Sequence, residues 1–575
     1  MVSPTPSFHA LPSRLADFTT VPEAISYAAQ GETGLNFYSG KGELLEALPY
    51  RDMKAQAEAL ARRMLASGLV RGDRVAIIAE SDGDFMRAFA ACQFAGLVPA
   101  PLPLPAAFGG KDAYIDHIRR MMQGASAAAA LSPANLADWV AAAADGLGMK
   151  AVGTLAVFDG VDGSGIELPT IGPDDLCYLQ FSSGSTRFPL GVAVTQRALM
   201  ANAHAITAHG LKITKDDRCV SWLPLYHDMG LVGFLLTPMV CQVSIDYLPT
   251  REFARRPLLW LSLITRNRGT LSYSPSFGYE LAARRAETAS TEGLDLSTWR
   301  GAGIGGDMVR PRVMRKFAET FANRGFKAQA FVPSYGMAEA SLALSFAPLD
   351  TGVVTDLVDL DRLENEGVAV PPDADTQRSR EFVLNGPVLP LHELEIRDPD
   401  GRILPEKRVG RVFTRGPSLM REYLDRPEET AAVLSPEGWL DTGDLGYLCD
   451  GQIVITGRAK DLILVNGRNI WPQDLEWSAE HAVESLRSGD VVAFSVDKDA
   501  GEDVTVLVQC RATQPDAREA LMAAVSGVLR SAHGVEVTVV LVPPHSLPQT
   551  SSGKLSRSRA KQMYVQGAFS AKASG

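Results

Sequence analysis

Residues 179–191 read LQFSSGSTRFPLG, an apolar run that leads into hydroxyls and a glycine. The backbone amides of Ser182, Ser183, Gly184, Ser185 and Thr186 can wrap a polyphosphate, and Arg187 adds positive charge. This is a phosphate loop in physical character but not a Walker A loop: the Gly-Lys-Ser/Thr ending is missing, and Leu190 stands where a lysine would be expected. Taken alone, the segment fits an ordinary Ser/Gly turn equally well. Other residues of suitable type follow: His227 in LPLYHDMG, Glu339 in SYGMAE, Asp444 in DTGD, Arg458 and Lys460 in GRAKD, and Lys554 in PQTSSGK. Each has an ordinary alternative. A lone histidine is more often packed or at the surface, and Asp444 fits a turn after Gly443. Lys554 fits a solvated lysine in a Ser/Gly-rich tail, although Gly553 before it and Leu555 after it favour a catalytic role. Cys219 and Cys241 read as core residues, since neither has a base at recognisable spacing.

Residues so far apart in the chain need a frame to bring them together. The 575 residues exceed what a single core can use, so at least two domains are expected. With 46% hydrophobic and 21% charged residues, the composition is that of a globular protein, not a disordered or fibrous one. A net charge of -11 offers no footprint for nucleic acid or an anionic membrane. The six cysteines are scattered, without a CxxC pair or a histidine at metal-ligand spacing, and read as reduced thiols of a cytoplasmic protein. Residues 1–20 show no basic start followed by an apolar run, so no secretory signal is expected. The alanine-rich stretch 124–144 is interrupted by Ser132, Pro133 and Asp138 and makes a poor membrane span.

Strand and helix periods alternate through the first two thirds, predicting an α/β protein with parallel strands and crossover helices. Residues 73–79 are a β-branched run fit for a buried strand, and 82–96 carry apolar residues at helical spacing with a glycine stop. The proline-rich 98–105 reads as an extended connector. A further strand at 220–223 runs into the loop at 224–229. Between 350 and 380 the chain turns acidic and proline-containing with weak periodicity, as expected of a surface insertion rather than a core element. Strands at 491–494, 504–508 and 535–542, with a helix at 516–531, predict a small α+β domain of roughly 110 residues. A boundary near 457–461 follows.

Beyond the phosphate loop, the five segments quoted above occur in the order and at the approximate distances seen in adenylate-forming enzymes. The chain resembles that superfamily over nearly its whole length and, within it, the fatty acyl-AMP ligases. The resemblance implies a large N-terminal domain of α/β subdomains over 1–457, a hinge at 458–461 centred on Lys460, and a small mobile C-terminal domain over 462–575. Joining a carboxylate to the α-phosphate of ATP brings several anions together, which calls for a metal, cationic groups and amide donors rather than a protein nucleophile. By resemblance, Ser182, Ser183, Gly184, Ser185, Thr186 and Arg187 hold the β- and γ-phosphates, and Thr186 and Glu339 place Mg²⁺. Tyr335 lies against adenine, with Gly305, Gly306 and Asp307 on the other side, and Ser334, Gly336, Met337 and Ile455 complete the nucleotide contacts. Asp444 accepts from the ribose hydroxyls, Arg458 approaches ribose and phosphate, and His227 and Lys554 join the catalytic set.

Three features point to the acyl-AMP ligases: Arg187 in the STR form of the loop, the LPLYHDMGL version of the second segment, and the insertion at 350–380. They imply activation of a medium- or long-chain fatty acid and transfer to the phosphopantetheine thiol of an acyl carrier protein, for a polyketide or lipopeptide assembly line. An acyl-CoA synthetase is the nearest alternative, and a non-catalytic nucleotide-binding scaffold is one of another class. The acyl pocket is expected among 228–236, 272–279 and 301–306. Departures from the family pattern are Gln196 in place of a histidine, Met308 in place of a proline, and the pair Asn385-Gly386.

Overall fold

The computed structural model describes residues 3–6, 10–105, 110–182, 190–465, 468–498, 501–549 and 555–569. Ser183, Gly184, Ser185, Thr186, Arg187 and Lys554 lie outside the described residues, as do Asn466 and Gly467. The chain divides into two compact units, one of residues 1–354, 383–394 and 414–440, the other of 355–382, 395–413 and 441–575.

The first unit is an α/β assembly. Its largest sheet has eight strands, in the order Ala343–Phe346, Phe331–Gly336, Gly301–Ile304, Leu271–Ser274, Arg218–Ser221, Ser244–Tyr247, Gly34–Tyr38 and Leu44–Pro49. The strands between Phe331–Gly336 and Gly34–Tyr38 run parallel, and each outermost strand is antiparallel to its neighbour. A second, parallel sheet holds Val98–Leu102, Arg74–Ile78, Ala127–Leu131 and Ala151–Gly153. The helix expected over 82–96 is Gly83–Ala95: Asp82 caps it by accepting the Phe85 N–H at 2.9 Å, and Gly96 ends it at φ +67°.

The proline-rich 98–105 is not a connector. Its first five residues are the buried edge strand Val98–Leu102. Pro99 and Pro101 can belong to it because the strand has a neighbour on one side only, and a proline that faces the open side gives up no ladder bond.

The second unit is built around a six-stranded sheet in the order Thr355–Asp359, Ser379–Pro387, Gln452–Arg458, Leu440–Cys449, Gly410–Arg415 and Glu393–Arg397. Its C-terminal part packs the sheet Val491–Lys498, Gly501–Gln509 and Val537–Val542 between helices. Val491, Ala493, Val504 and Val506 face Leu475, Ala479, Val525 and Leu529 of the helices Pro472–Ala482 and Pro515–His533. The alternate residues Val492, Phe494 and Leu507 face Ala560 of the helix Arg557–Val565. This two-residue alternation with both faces covered is why these strands read as continuous apolar runs.

The 350–380 stretch also differs from its sequence reading. Part of it is core: it supplies an edge strand to the six-stranded sheet and the helix Leu360–Glu366, with Val358, Leu360, Leu363 and Ala369 buried, while 373–375 stay exposed. Its acidic residues mislead because they are paired. Glu364, fully buried, takes Arg378 at 2.8 Å and Arg468 at 2.5 Å, and Arg380 pairs with Asp474 while its guanidinium lies 4.1 Å from the Phe382 ring centroid. Among the described residues, no helix is long and apolar enough to cross a membrane.

His533, in the last turn of Pro515–His533, sits beside this cluster. Its Nε2 lies 2.7 Å from Ser478 Oγ, and its carbonyl accepts an Arg468 N–H at 3.0 Å. Burial above all, and then the charges of Arg378, Arg380 and Arg468, push the imidazole down to about 4. Folded, it stays neutral where the unfolded chain takes up a proton, so the associated stability is whole above pH 6.5 and drains as pH falls toward 4. The full effect is roughly 3 kcal/mol. Denaturant midpoints of the wild type should therefore fall between pH 6.5 and 4.5, and His533→Gln should flatten that slope. Equal slopes in the two proteins would remove His533 as its source.

Candidate active site

In the first unit the candidate residues gather at the C-terminal ends of parallel strands, where open α/β sheets place their ligands. Gly301–Ile304 runs into Gly305, Gly306 and Asp307, and Phe331–Gly336 carries Ser334, Tyr335 and Gly336 before Met337. Register pairs Ile304 with Pro333, which sets Gly305 beside Ser334. A Cβ at Gly305 would stand 3.0 Å from Ser334 Oγ, whose hydroxyl donates to Ile304 O at 3.2 Å. Glycine thus leaves a low shelf here. Asp307 is exposed and accepts the Met308 N–H at 2.8 Å.

Glu339 lies in the short turn Ala338–Ala340 and is 9% exposed. Its Oε1 accepts the Tyr423 hydroxyl at 2.8 Å, and its carbonyl accepts the Met420 N–H at 2.7 Å. Tyr423 is on the strand Glu422–Tyr423, which pairs with Val192 and Ala193 of the strand leaving the Ser/Gly loop. At the base of that loop, Ser182 N–H donates to Leu190 O at 2.9 Å. One tyrosine therefore ties the Glu339 carboxylate to the root of the phosphate loop.

His227 sits in a tight loop after Arg218–Ser221. A Cβ at Gly230 would meet Pro224 O at 2.2 Å, so this turn of LPLYHDMG closes only with glycine. His227 Nδ1 is 2.6 Å from Asp228 Oδ1 and 3.3 Å from the Met229 nitrogen. The Met229 N–H is shared between His227 Nδ1 and Asp228 Oδ1, which takes it at 2.7 Å. Gln180 secures the loop by donating to Tyr226 O at 2.6 Å, and burial pushes the Tyr226 phenol up to about 12.

In the second unit Asp444 and Arg458 are direct cross-strand partners. Asp444 is 7% exposed, with Oδ1 3.3 Å from Arg458 Nε, and the Asp444 N–H donates to Thr442 Oγ1 at 3.2 Å. Ile455 is half-buried on the same strand as Arg458, and Lys460 is exposed in the turn Ala459–Asp461.

The sequence reading missed Tyr423, Gln180 and Asp228. For Gln180 a signal existed, a polar residue inside an apolar strand. For Tyr423 none did, because its partner is 84 residues away. Gln196 is absorbed into the core, donating to Gln93 at 2.8 Å and accepting the Val21 N–H at 2.8 Å. The thiols of Cys92, Cys177, Cys219 and Cys241 are pushed up by burial, which disfavours thiolate chemistry at any of them.

These elements are shared with known proteins. The AMP-binding enzyme family matches residues 38–424, and the AMP domain of Disco-interacting protein 2-like proteins matches 460–574. A putative acyl-CoA synthetase of Caulobacter vibrioides is 55% identical over 99% of both chains. JamA of Moorena producens, a medium-chain-fatty-acid–[acyl-carrier-protein] ligase, is 30% identical over 96% of both. A solved structure from work on fatty acyl-adenylate ligases of E. coli and L. pneumophila is 44% identical, with TM-score 0.93 over 97% of this chain and 100% of that one. Parallel sheet, glycine shelf and full-length likeness together make the chain a member of the adenylate-forming, AMP-binding enzyme family, an AMP-forming ligase. Within that family it stands with the fatty acyl-AMP ligases.

Proposed function

We propose that this enzyme activates a medium- or long-chain fatty acid and hands the acyl group to the phosphopantetheine thiol of an acyl carrier protein. A carboxylate oxygen attacks the α-phosphorus of ATP, the bond to the β-phosphate oxygen breaks, and pyrophosphate leaves. The thiol then attacks the acyl carbonyl, loses its proton and releases AMP. The observation that carries this reading is the buried Glu339 carboxylate, tied through Tyr423 to the root of the phosphate loop.

In this reading Ser182, Ser183, Gly184, Ser185, Thr186 and Arg187 bind the β- and γ-phosphates. Gly305, Gly306, Asp307, Ser334, Tyr335, Gly336 and Met337 frame the adenine. His227, held in place beside Asp228, lines the acyl side of the reacting carboxylate. Glu339 and Thr186 offer the oxygen donors that Mg²⁺ takes, and the metal would neutralise phosphate charge. Lys554 stabilises the charge that develops during attack. Lys460, in a hinge at 458–461 between residues 1–457 and 462–575, is the pivot between the two half-reactions. The buried free cysteines suit a cytoplasmic enzyme.

Transfer to a carrier protein rather than coenzyme A is supported by the 355–382 segment. A C-terminal lobe that turned away from Glu364 and Arg380 would have to break their bonds to Arg468 and Asp474, and that cost shifts the balance of orientations. The likeness to a putative acyl-CoA synthetase favours the other acceptor. Mass spectrometry of a reaction holding mixed fatty acids, Mg-ATP, coenzyme A and a phosphopantetheinylated carrier protein separates them. Acyl-carrier product with little acyl-CoA is expected, and the reverse would make this an acyl-CoA synthetase. Fatty-acid-dependent ATP–pyrophosphate exchange tests the first step, and its absence from the folded enzyme would end the proposal.

Asp444, buried beside Arg458, is suited to accept both ribose hydroxyls. Asp444→Asn should raise the KM for ATP by about tenfold or more and change kcat at saturating ATP far less, the pattern of lost ground-state binding. Arg458 is half-exposed, so the pair adds little stability and the Tm should hardly move. An unchanged KM would take Asp444 out of the nucleotide site.

A further inference from the structure

The C-terminal lobe holds a charge arrangement that the roles above leave unexplained. Arg557 opens the helix Arg557–Val565, three residues beyond Lys554. Its guanidinium grips Glu476 twice, Nε to Oε1 at 2.8 Å and Nη2 to Oε2 at 2.7 Å. A third bond runs from Nη1 to Asp461 Oδ2 at 3.2 Å. Glu476, in the helix Pro472–Ala482, has a side chain only 5% exposed and also accepts the Ala493 N–H at 3.1 Å. Asp461 ends the turn Ala459–Asp461, one residue past Lys460.

The residues on either side of 550–554 are fastened to each other. Gln549 and Leu555 form an antiparallel bridge, and Ser556 N–H donates to Pro548 O at 2.9 Å. Beyond them, Ala560 is fully buried and Tyr564 packs 5.7 Å from Phe494, ring centre to ring centre. A guanidinium fork fixes direction as well as distance, which a lysine in its place cannot do.

We propose that Arg557 is a positioning residue for Lys554. Its double bond to Glu476 fixes the start of the helix that follows Lys554 in the sequence, and its bond to Asp461 registers that helix with the turn beside Lys460. The proposal rests on the reading of Lys554 as the group that stabilises charge during adenylation.

Amide hydrogen exchange and kinetics on the full-length protein test it together. In Arg557→Gln and in Asp461→Asn, peptides covering 547–556 should exchange about tenfold faster while those of 515–533 keep their wild-type rates. In both variants kcat for pyrophosphate exchange should drop about tenfold, with the KM for ATP and for fatty acid within about twofold of wild type. Arg557→Lys should recover only part of the loss. In a Lys554→Ala background, Arg557→Gln should cost nothing further, because a residue acting through the lysine has nothing left to position. Unchanged hydrogen exchange at 547–556 in both variants, or full additivity with Lys554→Ala, overturns the proposal. If Arg557→Gln does not fold, Asp461→Asn, which keeps both bonds to Glu476, decides the question in its place. A wild type that performs no pyrophosphate exchange defeats the adenylation reading instead, and hydrogen exchange still decides whether Arg557 orders this segment.

Discussion

Glu339→Gln is expected to lower fatty-acid-dependent pyrophosphate exchange by about two to three orders of magnitude, the scale seen when one preorganised electrostatic group is lost. The substitution isolates charge from shape. A glutamine amide oxygen can still accept the Tyr423 hydroxyl, and the Met420 N–H bonds to the main chain at 339 whatever the side chain. The loop root should therefore hold and the Tm stay near the wild-type value. What disappears is an anionic oxygen donor for a hard cation. Raising Mg²⁺ should recover part of the rate in the variant and do little for the wild type. Wild-type exchange at ordinary Mg²⁺ would show that Glu339 is a buried structural carboxylate and nothing more.

Lys554→Ala should cost about a thousandfold or more in adenylation with ATP affinity nearly unchanged. A lysine that meets the carboxylate and the α-phosphate only as charge develops contributes to kcat, not to ground-state binding. Direct titration with a non-hydrolysable ATP analogue gives the binding term, and single-turnover acyl-adenylate formation gives the chemical one. The second half-reaction offers an internal control. Under the proposed pivot at Lys460, acyl-adenylate supplied from outside should still pass to the carrier thiol, because a second orientation of the small lobe would take Lys554 out of the reaction. Normal adenylation in the variant would remove the lysine from the mechanism; loss of both half-reactions together would mark it as a residue needed for folding.

What could be read from the chain alone was local or chemical. Asp82 and Gly96 frame a helix because their preferences act on backbone groups within one turn. The strands read at 73–79, 491–494 and 504–508 announce themselves by β-branched runs, and the ordered segments that carry Ser182, Glu339, Asp444 and Lys554 resemble those of adenylate-forming enzymes, a resemblance that implies phosphate chemistry. The errors were of another kind. Prolines at 99 and 101 look like a connector until the strand is known to be at a sheet edge, and the acidic 350–380 looks solvated until Glu364 is found paired with Arg378 and Arg468 and Arg380 with Asp474.

Tertiary structure alone decided the pairings of Tyr423 with Glu339, Gln180 with Tyr226, and Arg557 with Glu476, across 84, 46 and 81 residues. Caps, turns and periodicity follow from conformational energies that a few neighbouring residues settle. Which distant side chains meet depends on the order of strands in each sheet, and that order is set when whole apolar faces are buried at once, a collective balance that no single segment carries.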